Sequence, residues 1–172
     1  MQQDISRWIR DIPDFPEKGI LFRDITPALL DPVPFKNICD SLTERYRGRK
    51  IDKIAGIEAR GFFFASVLAY TLGIGMIPLR KPGKLPWKTI SRSYSLEYGK
   101  ATVEMHEDAV SEGERVLLVD DLLATGGTAA AAAALIESRG GVIEEIAFVI
   151  ELSDLGGREQ LGERPVFSLL TY

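Results

Sequence analysis

Residues 116–128, Val-Leu-Leu-Val-Asp-Asp-Leu-Leu-Ala-Thr-Gly-Gly-Thr, constrain this chain more than any other stretch. Four apolar β-formers run into two adjacent carboxylates, Asp120 and Asp121. A short loop ends in Thr125-Gly126-Gly127-Thr128, and the Ala-rich run from Ala129 to Ala134 reads as a helix. The order is strand, loop, helix N-terminus. Gly126 and Gly127 let the backbone approach a ligand and take up conformations closed to other residues. Their N–H groups, with those of Thr125 and Thr128, sit at the positive end of the helix, a ready site for a phosphate. The two Thr hydroxyls add donors. Asp120 and Asp121 stand just before this cradle, at what reads as an exposed strand end, where a sugar would follow its phosphate. Carboxylates accept hydrogen bonds from a diol and can help hold a metal. The alternative is an ordinary βα turn with surface acids, but ligands favour this location in α/β sheets.

Two nucleotide-binding patterns do not fit. A P-loop needs Gly-x-x-x-x-Gly-Lys-Ser/Thr, and no Lys follows these glycines. A dinucleotide fingerprint needs three spaced glycines. Gly73-Ile74-Gly75 lacks the third, where Pro78 stands, and it precedes a strand.

The rest of the chain alternates between element types. Ile5, Trp8, Ile9 and Ile12 recur at helical spacing and predict a short amphipathic helix over residues 4–11, ended by Pro13 and Pro16. Residues 14–31 read as extended with little regular structure. Phe35, Ile38, Leu42 and Tyr46 mark a second helix, closed by Gly48. Residues 53–57, 62–72 and 76–80 read as strand, helix and strand, a βαβ unit with parallel strands. Residues 92–98 and 101–107 alternate and meet near Gly99, as in a β-hairpin. A strand over 116–120 and a helix over 128–139 follow, the helix capped by Gly140 and Gly141. Residues 146–152 and 166–170 complete the strands.

Two further anion elements lie on the same edge as the glycine loop. Glu58-Ala59-Arg60-Gly61 sits where a strand meets a helix N-terminus, and Arg60 adds charge to backbone donors in a way that suits a pyrophosphate. Arg80, Lys81 and Lys84 leave the end of the next strand. A basic run is most simply a solvated face, but its position at a strand end, beside the other two loops, favours a site.

Composition excludes several classes. At 172 residues one domain, 1–172, is expected. A net charge of −4 argues against nucleic-acid binding. No run approaches the roughly 20 apolar residues of a membrane span, and no signal-peptide pattern is present, so a cytoplasmic protein is expected. The single Cys39 forms no intrachain disulfide and reads as buried packing.

The segments Asp14-Phe15-Pro16, Gly19 to Pro27, Gly56 to Phe62, Arg80 to Pro86, Tyr94 to Gly99 and Asp120 to Thr128 together resemble the adenine phosphoribosyltransferases, within the type I phosphoribosyltransferases, in that family's order over nearly the full length. The glycine loop alone would indicate only the superfamily. The resemblance implies an α/β type I phosphoribosyltransferase fold. Helices flank a central, mainly parallel sheet, with a small N-terminal helix and hood over 1–33 and a flap hairpin over 92–107. It implies transfer of the 5-phosphoribosyl group from phosphoribosyl pyrophosphate (PRPP) to adenine, giving AMP and pyrophosphate in purine salvage, with Mg²⁺ bound alongside PRPP. Other readings are a transferase for another purine base and a PRPP sensor without catalysis.

Residue roles follow from the same resemblance. Ala124, Thr125, Gly126, Gly127 and Thr128 bind the phosphate of PRPP. Ala59, Arg60, Gly61, Arg80, Lys81 and Lys84 bind pyrophosphate. Phe15 and Leu152 flank the purine, with core packing as the alternative for each, and the backbone of Leu21 and Arg23 reads its edge. Glu97 is the catalytic carboxylate on the flap, Tyr98 helps seal the site, and Asp120 and Asp121 favour the developing positive charge. No strong direct protein ligand to the metal is expected, and Asp120 or Asp121 would reach it through water. His106, the only His, is not expected to act as the base. The peptide between Glu58 and Ala59 is expected to be cis, turning the N–H groups that follow it toward the pyrophosphate. A homodimer is expected. Phe62, Phe63 and Phe64 cover too wide an arc of one helix for a single core face, so at least one should meet a partner.

Overall fold

A computed structural model describes residues 5–95 and 100–172. They fall into two compact units, one running to Tyr46 and one from Arg47 to Tyr172.

The first unit opens with a 3₁₀ turn, Ile5–Trp8, and continues into strands β1 (Arg10–Pro13) and β2 (Leu21–Asp24), paired antiparallel with Ile12 opposite Phe22. The helix expected over 4–11 is therefore a single turn followed by a strand. So short a segment gains too few hydrogen bonds to offset helix nucleation, and Pro13 and Pro16 block its extension. Ile5 and Ile9 are nevertheless buried, so their spacing did mark an inner face. The segment read as irregular also contains β2 and the short helix α1 (Thr26–Leu30). Asp24 explains the switch between them. Its carboxylate accepts the Thr26 N–H at 2.9 Å and the Thr26 hydroxyl at 2.7 Å, and takes Arg10 Nη2 at 2.8 Å. Burial acts to raise its pKa, but Thr26 and Arg10 outweigh burial and hold it below the usual carboxylate range. Helix α2 (Pro32–Tyr46) starts where Asp31 Oδ1 accepts the Val33 N–H at 2.8 Å, with Pro32 in the first turn. Ile38, Leu42 and Tyr46 are buried as expected, together with Cys39.

The second unit is built on β3 (Lys53–Ile57), α3 (Gly61–Leu72), β4 (Gly75–Leu79), the hairpin β5 (Thr89–Ser95) and β6 (Lys100–His106), β7 (Arg115–Leu123), α4 (Gly127–Glu137), β8 (Val142–Glu151), α5 (Gly157–Leu161) and β9 (Val166–Thr171). Five strands form one parallel sheet in the order β4-β3-β7-β8-β9. Their near-continuous apolar runs suit strands buried on both faces. Alternation along β3 separates the helices. Ala55 and Ile57 join the core with Ala132, Ala133 and Ile136 of α4 and Val103 and Met105 of β6. Gly56 faces α3, so closely that a Cβ there would lie 2.7 Å from Ala65 Cβ. The small side chains of Ala129, Ala131, Ala132 and Ala133 are buried and let α4 lie close to the strands. The hairpin starts earlier than expected, at Thr89. Helix α5 was not legible, because five residues between Gly156 and Gly162 carry no periodic signal. No helix among the described residues is long and apolar enough to cross a membrane.

Candidate active site

The carboxyl ends of β3, β4 and β7 converge on a cavity of about 310 Å³. Its walls include Glu58, Ala59, Arg60, Arg80, Lys81, Tyr94, Asp120, Asp121 and Thr128. All three anion elements read from the sequence thus reach one place, on the edge of a parallel sheet where ligands bind.

Gly61 makes the approach between α3 and β7 possible. A Cβ on it would lie 2.7 Å from the Val119 carbonyl oxygen and 3.0 Å from Asp120 Oδ1. With no side chain there, the first turn of α3 sits on the end of β7, and Arg60 Nε comes within 2.6 Å of Asp121 Oδ2. Asp121 is therefore not exposed as expected, while Asp120 keeps part of its surface. Asp121 is only 3% exposed, because α3 covers it. The Asp121 N–H donates to Asp120 Oδ1 at 2.9 Å. Burial, and then the charge of Asp121, push the Asp120 carboxyl well above its ordinary pKa. Burial also raises Asp121, against the opposing pull of Arg60. Crowding and poor hydration make both carboxyls harder to ionise than free ones, and Arg60 offsets this at Asp121.

Arg80 lines the cavity as expected and is also held by its neighbours. Its Nη2 and Nε meet Glu58 at 2.9 Å and 3.2 Å, and its Nη1 donates to the Lys84 carbonyl at 2.9 Å. The Lys81 N–H also donates to Glu58, at 3.0 Å. Arg80 therefore shapes the loop that carries Lys81 and Lys84, and Glu58, which the sequence reading left without a role, is its anchor. The Arg80 guanidinium holds Glu58 below the usual carboxylate range. Lys81 is exposed at the cavity wall, while Lys84 is exposed and not among the lining residues. The Glu58–Ala59 peptide is cis, as the resemblance implied.

The glycine loop lies as expected between β7 and α4. Gly126 has φ of +83° and precedes the first turn of α4, and its carbonyl accepts the Ala130 N–H at 2.9 Å. Thr128 Oγ1 donates to the Tyr94 hydroxyl at 2.9 Å, tying the hairpin to the loop. Tyr94 was not singled out as a site residue. Its place in the alternation of β5 was the available signal, but which face of the hairpin would turn inward depends on packing against α4.

The residues expected at the purine are divided between the units. Phe15, half exposed, packs edge-on against Phe22 with ring centroids 5.2 Å apart. It follows Asp14, whose φ is +57° and whose carboxylate accepts the Gly19 N–H at 2.7 Å. Leu21 is nearly half exposed, and the Arg23 side chain pairs with Asp11. In the second unit Leu152 directly follows β8, its N–H bonded to the Leu123 carbonyl at 2.9 Å. Glu97 and Tyr98 lie outside the described residues.

Comparison with known proteins agrees with this geometry. The family model of the phosphoribosyl transferase domain matches residues 28–164. An adenine phosphoribosyltransferase of Roseiflexus sp. strain RS-1 is 55% identical over 172 residues, the whole of both chains. The crystal structure of the adenine phosphoribosyltransferase of Thermoanaerobacter pseudethanolicus superposes with a TM-score of 0.96 at 52% identity, covering 100% of each chain. That of Saccharomyces cerevisiae, in complex with an imino-altritol bisphosphate and adenine, gives 0.92 at 42% identity over 98% of each.

Proposed function

The chain belongs to the phosphoribosyltransferase family, among its adenine-specific members, and from that premise we infer that it transfers the 5-phosphoribosyl group of PRPP to adenine, releasing AMP and pyrophosphate in purine salvage. The observation that carries the residue assignment is the position of Asp120 and Asp121. They lie between the glycine loop that follows them and Arg60, the residue that precedes α3, on the wall of one cavity.

In this reading the N–H groups of residues 124–128 and the Thr125 hydroxyl hold the 5-phosphate, joined by the Thr128 hydroxyl once it turns from Tyr94. Asp120 and Asp121 accept from the ribose diol, and their charge favours the oxocarbenium-like centre that develops as the N9 nitrogen attacks C1 and pyrophosphate leaves. The backbone at Ala59 and Gly61, with Arg60 and Lys81, receives the leaving group, and Arg80 and Lys84 hold the loop that brings Lys81 there. The resemblance assigns Phe15 and Leu152 to the faces of the adenine, and the backbone of Leu21 and Arg23 to its 6-amino edge. Glu97 is assigned from the sequence as the carboxylate beside the purine nitrogens, with Tyr98 helping to exclude water that would hydrolyse PRPP.

Asp120 and Asp121 also fit a magnesium ion reached through water. They are hard oxygen donors on the cavity wall, and both hold protons more tightly than free carboxylates, a condition a divalent cation reverses. When bound with PRPP, Mg²⁺ supplies charge that offsets the leaving pyrophosphate.

We further propose a homodimer formed through α3. Phe64 is buried in its own core, Phe63 is 46% exposed and Tyr70 90% exposed, and Val67 lies between them on the same helical face. A cytoplasmic setting suits a single unpaired Cys39, buried with its thiol pushed up to about 11 mainly by desolvation.

The test is a parallel assay of adenine, hypoxanthine, guanine and xanthine with PRPP and Mg²⁺. Adenine should be preferred by at least ~10²-fold in kcat/KM, because a 6-oxo group leaves buried polar groups mispaired. Chelating the metal should abolish turnover. Equal use of hypoxanthine would refute the adenine assignment.

A further inference from the structure

The glycine loop is braced from behind by backbone, at a residue of α5 with no functional role so far. A Cβ on Gly157 would lie 2.2 Å from the Ala124 carbonyl oxygen and 2.8 Å from Leu123 Cδ1. Reciprocally, a Cβ on Gly126 would lie 2.4 Å from the Gly157 carbonyl oxygen. The φ of Gly157 is outside the left-handed range, so this position needs glycine for space and not for conformation.

The contact bears on the phosphate cradle through one peptide plane. The Ala124 carbonyl and the Thr125 N–H belong to the same planar trans unit and point in opposite directions. With the carbonyl resting against Gly157, the Thr125 N–H is turned away from α5. Any side chain at residue 157 would push that carbonyl and rotate this donor with it.

α5 is itself fixed in place. Arg158 grips Glu151 through two parallel bonds, Nε to Oε1 at 2.6 Å and Nη2 to Oε2 at 2.7 Å, and its Nη1 donates to the Val166 carbonyl at 3.2 Å. Glu151 is 5% exposed at the last position of β8 and lies in register with Leu123, the last residue of β7 before the loop. Bidentate pairing of this kind sets position as well as energy.

We propose that Gly157, seated by the Arg158–Glu151 pair, is a positioning residue that sets the orientation of the Thr125 N–H for the 5-phosphate of PRPP. The proposal rests on the reading that residues 124–128 take that phosphate. Gly157→Ala should raise KM for PRPP by about tenfold or more, the size of one lost hydrogen bond to a charged group, and leave KM for adenine within about twofold. Arg158→Leu, which loosens α5 without adding bulk, should shift KM for PRPP in the same direction by a smaller factor, with Arg158→Lys in between. If Gly157→Ala does not fold, the Arg158 pair decides alone. A KM for PRPP within about twofold of wild type in the folded variants, or equal rises in both KM values, would overturn the proposal. A crystal structure of the wild-type protein with AMP separates the two levels. A 5-phosphate seated away from residues 124–128 removes the underlying reading, and the proposal with it. A phosphate on the loop combined with unchanged kinetics removes the proposal alone.

Discussion

Arg60 Nε rests 2.6 Å from Asp121 Oδ2, so the cation assigned to the pyrophosphate is paired with an acid assigned to the ribose. The side chains are not equally placed: that of Asp121 is 5% exposed and that of Arg60 40% exposed. Arg60 can therefore leave for an incoming anion at modest cost, whereas Asp121 cannot follow it into water. An ion pair with one wet and one dry member suits a site that must exchange partners when substrate arrives.

Replacing Arg60 with Leu tests this asymmetry. Asp121 would keep its burial and lose its counter-charge, so its pKa should rise further. The empty protein should lose about 1–3 kcal/mol at neutral pH, at the lower end because Arg60 is partly solvated. The loss should shrink as pH falls through the raised Asp121 pKa, where the carboxyl becomes neutral. Urea unfolding at two pH values measures it, and an unchanged midpoint at pH 7 would contradict it.

Asp120→Asn should have the opposite effect on stability. A carboxyl whose folded pKa is raised contributes stability below its unfolded value, near 3.8, and loses that contribution as pH rises through the folded value. At neutral pH the acid therefore costs the empty fold free energy, and the amide should recover part of it. A gain of about 1 kcal/mol, roughly 2–4 °C in Tm, is expected together with a severe loss of turnover. A lower Tm in this variant would argue against the crowded-acid description.

Glu58 titrates in the other sense. Its pKa is lowered, first by the hydrogen bonds from Arg80, so its contribution is present above the unfolded value of 4.5 and lost as pH falls through the folded value. Arg80→Met should remove about 0.5–1 kcal/mol at neutral pH and nothing once Glu58 is protonated in both states. KM for PRPP should also rise, because Arg80 holds the loop bearing Lys81 and Lys84. Thermal scans from pH 3 to pH 7 in parallel with wild type would show whether the difference closes on the acid side.

Glu97→Gln should lower kcat more than it weakens PRPP binding, as expected for a group acting mainly in the transition state. Steady-state kinetics with a separate PRPP titration distinguishes the two, and a wild-type kcat would remove Glu97 from the mechanism.

Tyr70→Glu places a charge on the most exposed aromatic of α3, on the face left apolar by Phe63 and Val67. Wild type should sediment as a dimer at micromolar concentration and the variant as a monomer with its fold intact. A monomeric wild type would dismiss the dimer.

The alternation of apolar strands with helices was legible from the sequence because both periods are local. So was the position of the site, since the loops at 58–61, 80–84 and 120–128 all leave strand ends of one parallel sheet. Where the sequence reading failed, it failed for lack of partners. The first unit pairs β1 with β2 because Asp24 engages Arg10 and Thr26, residues distant from or unlike any helical pattern, so the spacing of Ile5, Ile9 and Ile12 pointed to a helix that does not form. The burial of Asp121 was invisible because it depends on Gly61 letting α3 settle onto the end of β7, and Arg80 could be read only as a free cation until Glu58, 22 positions away, met it. Residue types and local periods carry the chemistry and the secondary structure. Charge state, hydrogen-bond partners and the brace at Gly157 are set by which segments are pressed together, and only tertiary packing decides that.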